Sequence, residues 1–242
     1  MKVPPVDLSH LRERYRELAT RVHELWESSN LAHDDVDTPE LLRDAMSQLI
    51  DMLRLIGTDE SPADSAEINT VGEYGLHLID ELAKVAASLD QTRLASEIEH
   101  LAMPFALWVA RHGGEIRHLQ PVVNALAHYA NQVSHPQEMA ALYTQCCELI
   151  DAVSPACEDA SGTDPQHPWR LLLLNRAIVA TRSHNPELME PAFDAVVEML
   201  PNDARGFFAE GMEQITIIDY PEAVRDVIRR YFLMFASSRR LH

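Results

Sequence analysis

Pro39, Pro62, Pro136, Pro168, Pro186 and Pro221 each stand at the head of a run whose apolar residues recur every three or four positions. Proline fits the first turn of a helix, because the N–H it lacks would be unpaired there anyway. Thr38, Ser61 and Asn185 precede three of these prolines, and their side chains suit a helix N-cap. Alternation at two, the mark of a strand, is almost absent. A chain punctuated this way folds as a series of medium-length helices joined by short turns. We expect an all-α protein of about ten helices in antiparallel hairpins.

The expected helices cover about 7–29, 39–56, 66–89, 90–113, 118–133, 136–153, 168–184, 186–200, 204–219 and 221–238. In the first, Leu8, Leu11, Tyr15, Leu18, Val22 and Leu25 form one apolar seam, suited to packing on the next helix or, alternatively, to a homodimer seam. The second is apolar on more than one side, which predicts burial between neighbours. Pro104 should kink the fourth or split it after Ala102. Gly72 and Gly75 lie inside the third, where a glycine costs roughly 0.8–1 kcal/mol against alanine and so predicts a close helix crossing. The Pro-, Gly- and acid-bearing stretch 154–167 reads as a surface loop. It divides an N-terminal helical array, 1–153, from helical hairpins at 168–242, although the two could form one continuous domain.

The formal charge is −18. Phosphate binding needs clustered Lys and Arg, so nucleic acid is not an expected partner, and neither is an anionic membrane surface. The charge is uneven: residues 31–214 hold ten basic against thirty acidic side chains. This reads as a solvated acidic surface, or as a face for a basic partner. Lys2 is followed by Pro4, Pro5 and Asp7 rather than an apolar run, so no secretory signal is expected. Cys146, Cys147 and Cys157 are odd in number, which fits a reducing cytoplasm better than a disulfide framework.

A faint repeat marks the C-terminal third. A 34-residue unit starting at Arg170 places Leu173, Ala177, Phe193 and Pro201 at regular offsets, and the next, from Ala204, places Phe207, Gly211 and Ala223. This pattern resembles the tetratricopeptide repeat over about 170–238. Met189, Arg176, Glu210 and Phe235 depart from it. The resemblance implies a right-handed stack of helical hairpins, with a closed helical bundle as the alternative. It also implies that Leu173, Ala177, Phe193 and Phe207 are buried together.

Catalytic signatures are missing: no Gly-x-Gly-x-x-Gly, no phosphate-cradling Gly-Lys-Ser/Thr and no Gly-x-Ser-x-Gly occurs. Glu97/His100 and Glu115/His118 have the Glu-x-x-His spacing of carboxylate-bridged metal sites, but they stand too close in sequence to come from separate bundle helices. We therefore expect no metal, no cofactor and no catalytic residue. Tetratricopeptide arrays typically bind peptides on their concave face, and the resemblance puts Asn175 and Arg182, two helical turns apart, on such a face. They are the candidate partner-binding residues. The expected function is a non-catalytic adaptor or scaffold for a protein or peptide. The alternatives are an all-helical metal protein or enzyme using Glu and His, and a homo-oligomeric structural protein.

Overall fold

The computed structural model describes residues 6–29, 38–56, 65–158 and 164–237. All its regular elements are helical: α1 Leu8–Glu27, α2 Pro39–Ile56, α3 Ser65–Ser88, α4 Thr92–Glu99, α5 Ala102–Arg111, α6 Gln120–Gln132, α7 Pro136–Asp151, α8 Pro168–Arg182, α9 Pro186–Met199, α10 Pro201–Ile217 and α11 Glu222–Ser237, with a 3-10 turn at Pro155–Cys157. Among the described residues there is no strand; one parallel bridge joins Ile116 to Val153. No described helix is long and apolar enough to cross a membrane.

Local chemistry sets the helix ends. Pro39, Pro136, Pro168, Pro186 and Pro201 each open a helix, and Pro221 directly precedes one. The Asn185 side chain accepts the Glu187 N–H at 3.0 Å, the Thr38 hydroxyl accepts the Leu41 N–H at 3.3 Å, and Asp7 accepts the Ser9 N–H at 2.8 Å. Ser61, Pro62 and Gly57 lie outside the described residues. The expected fourth helix is split, but earlier than expected: α4 ends at Glu99 and α5 opens at Ala102, so Pro104 sits in the first turn of α5, where no backbone bond is lost.

By contacts the chain forms two compact units. One takes in the described residues of 4–129 and 148–158, the other those of 130–147 and 159–242. The loop expected at 154–167 contains one crossing between them, although 159–163 lie outside the described residues. The crossings inside α6 and α7 carry no compositional mark.

In the first unit α1 packs on α2, and α3 packs on α2, α4 and α5. Leu11, Tyr15, Leu18 and Val22 are buried, and the Tyr15 hydroxyl donates to the Leu78 carbonyl at 2.9 Å. The seam of α1 is thus spent within its own chain and is not free to serve as a homodimer seam; Leu25 lies outside it, exposed. Only one side of α2 is buried, through Leu42, Met46, Leu49, Ile50 and Leu53, while Leu41 and Met52 face outward. The buried side meets two neighbours, α1 and α3, as expected of a helix buried between neighbours, while the apolar residues beyond that side stay uncovered. Gly72 and Gly75 mark a close crossing: a Cβ on Gly75 would lie 2.2 Å from Phe105 Cζ, and one on Gly72 3.0 Å from Val109.

In the second unit α8 packs on α9, α10 on α11, and α9 also on α10 and α11. Phe193 sits edge-on to Phe208 (5.1 Å) and Tyr231 (5.2 Å), and Phe208 stacks on Phe235. Leu173, Ala177 and Phe193 are buried as expected. Phe207 is only half-buried, and the next residue, Phe208, takes the core position instead. The one-residue step from 207 to 208 turns the helix by about 100°, enough to trade core for rim. Ala223 is exposed. Arg170 grips Asp203 with two hydrogen bonds, 2.7 and 2.6 Å, and ties the start of α8 to the start of α10.

Candidate functional site

Four helices of the second unit leave a groove of about 370 Å³ between them, with Phe193 of α9 among its lining. α8 supplies Leu174, Ile178, Thr181 and Arg182 to its wall; α10 supplies Phe207, Gly211 and Gln214; α11 supplies Ile228. Gly211 lets α10 and α11 approach closely: a Cβ there would stand 3.3 Å from Ile228 Cγ2. The hydrophobic residues around the mouth are accessible, with Ile178 42% and Ile218 43% exposed. Such a volume lies within the roughly 300–1,000 Å³ of ligand-sized sites. Glu210 lies on the lip, exposed, and Tyr220 closes one end against His184.

The two residues singled out by sequence part company here. Arg182 lines the groove, but its guanidinium is committed to backbone: one nitrogen donates to the Ala130 carbonyl and the other to the Val133 carbonyl at 2.8 Å. These are carbonyls at the C-terminal end of α6 that lack helical partners, so Arg182 acts as the cap of that helix. Asn175 is half-buried and does not line the groove. The side chains that make the groove, above all Ile178, Phe207 and Gln214, carry no sequence signal of a site. An apolar residue at helical spacing reads as core until the packing shows it uncovered.

The acid–histidine pairs are separated by their neighbours. The Glu97 carboxylate is held by Arg14 at 2.9 Å and Arg21 at 3.4 Å. His100 instead stacks on His128 and meets the Ser96 hydroxyl at 3.1 Å. Burial, with the charge of His128 beside it, pushes the His100 pKa down to about 4. Glu115 and His118 do not converge either, for His118 Nε2 pairs with Asp80 at 3.0 Å and Asp80 also takes Lys84 at 2.9 Å. Among the described residues no group of three or more His, Cys, Asp or Glu side chains could hold a metal ion.

His118 opens onto a second, polar cavity of about 560 Å³ in the first unit, lined also by Asn69, Glu73, Tyr74, His77 and Arg117. Cys146, Cys147 and Cys157 are unpaired, and burial raises the Cys146 thiol far above its ordinary range, so it is packing material rather than a nucleophile. Set beside known protein families, curated proteins and solved structures, the chain matches none of them.

Proposed function

We propose that this chain is a non-catalytic interaction module, an adaptor or scaffold, that receives a protein or peptide partner in the groove between α8, α9, α10 and α11. The observation that carries the reading is the groove itself: an apolar trough of ligand-sized volume whose mouth keeps Ile178 and Ile218 accessible. The unit around it is read as tetratricopeptide-like hairpins. Burial of Leu173, Ala177 and Phe193 and the close approach of Gly211 to Ile228 support that, while half-buried Phe207 and exposed Ala223 depart from it. Three unpaired cysteines favour a reducing cytoplasm as its setting. The test compares proteins captured from the native host by the wild-type chain and by Ile178→Asp, a change at an accessible position that leaves the core intact. A partner retained by wild type and lost by the variant, with equal melting temperatures, is the expected result. Identical captures would reject the groove as the docking site.

A second reading, an enzyme using Glu and His, is favoured by one observation: His118 is oriented by Asp80 at the edge of the polar cavity. It predicts a small polar ligand that raises the melting temperature of the wild type but not of His118→Ala. No such shift across a broad metabolite panel would dismiss it.

A further inference from the structure

We infer that the partner of the groove is an amphipathic helix whose apolar anchor is flanked by Lys or Arg; the inference rests on the reading of the groove as a docking site. Two features of the walls select the helix. Both α8 and α10 satisfy their backbones internally, and there is no strand among the described residues, so an extended peptide finds no open edge to pair with. The groove therefore takes side chains, and a helix presents them at i, i+3 and i+4 along one face.

The charges at the mouth select the flanks. Glu210 on the lip and Glu213 one turn on are exposed, and neither has an ion-pair partner among the described residues. The arginines of α8 and α11 already have partners. Arg182 is spent on the α6 carbonyls, Arg225 faces Asp219 at 3.8 Å, and Arg229 pairs with Asp226 at 2.9 Å. A basic flank would meet an unpaired carboxylate, whereas an acidic flank would add like charge to a chain that already carries −18. Gln214 offers further hydrogen bonds along the wall, and the Thr181 hydroxyl, which donates to the Ala177 carbonyl at 2.9 Å, can still accept one.

The test is selection from a displayed library of random peptides of about sixteen residues, some four helical turns, on the full chain. The strongest binder is then measured against wild type, Ile178→Asp, and Glu210→Arg/Glu213→Arg. The expected peptides carry large apolar residues at helical spacing with Lys or Arg within one turn. Their affinity should fall at least about tenfold with either variant, and added salt should weaken binding to wild type. Peptides with neutral or acidic flanks that Ile178→Asp abolishes and Glu210→Arg/Glu213→Arg leaves unchanged would overturn the basic partner while keeping the groove as a docking site. If no selected peptide responds to Ile178→Asp, the docking reading itself fails. A wild-type dimer in sedimentation that Ile178→Asp dissociates would give the groove to a second copy of the chain and overturn the inference.

Discussion

Gly75 and Gly206 are both glycines inside helices, and alanine should move them in opposite directions. At Gly75 a methyl would meet Phe105 at 2.2 and 2.5 Å and Leu49 at 2.9 Å, so the α3–α5 crossing must open. Overpacking of this kind costs about 1–3 kcal/mol. At Gly206 nothing lies within 4 Å, and alanine should stabilise α10 by about 0.8–1 kcal/mol. Urea unfolding of the two variants checks both signs; a neutral Gly75→Ala would mean the crossing is loose. His100 supplies the matching electrostatic case. Its imidazole is held neutral down to about 4, while in the unfolded chain it takes a proton near 6.5. The unfolded state therefore binds more protons between these values, and stability falls as the pH drops through that window and levels off below it. His100→Gln should flatten this part of the melting-temperature profile between pH 7 and pH 4. An unchanged slope would assign the acid sensitivity to other groups.

At the scale of the element, the helix ends show how closely local chemistry is used. α5 closes on Gly113 with positive φ, and the Gly114 N–H reaches back to the Val109 carbonyl at 3.0 Å. The end of α3 has the same geometry, with Gln91 N–H on the Ala86 carbonyl at 3.0 Å, but Asp90 occupies the left-handed position. Asp90→Gly should therefore stabilise the chain by about 0.5–1 kcal/mol, read as a higher urea midpoint. Helix α6 is closed from a distance by Arg182. Arg182→Ala leaves the Ala130 and Val133 carbonyls without their donor and should cost about 1–3 kcal/mol. Arg182→Lys should recover only part of that, since an ammonium cannot span two carbonyls with a rigid fork. Full recovery by lysine would show that charge, not geometry, is what α6 requires.

For the molecule as a whole, a net charge of −18 predicts self-repulsion in the native state, so moderate salt should raise the melting temperature. A melting temperature that falls with salt would mean that ion pairs such as Arg170–Asp203 outweigh the repulsion. The sequence alone determined the helical class and most helix boundaries. Proline position, caps and three-to-four spacing are properties of contiguous residues, and backbone sterics act on them before any tertiary contact forms. It also showed that Gly72 and Gly75 needed a close neighbour, because only packing repays a glycine in a helix. What it could not determine were choices that depend on residues far apart in the chain. Tertiary packing exposed Phe207 and buried Phe208, left Leu41 and Met52 outside, and let Ile178 line an open groove although its spacing matches core. It also turned Arg182 from a free cation into the cap of a helix some 50 residues away in sequence. Periodicity fixes which side chains share a face, but whether that face is covered, and by what, is decided only when distant helices meet.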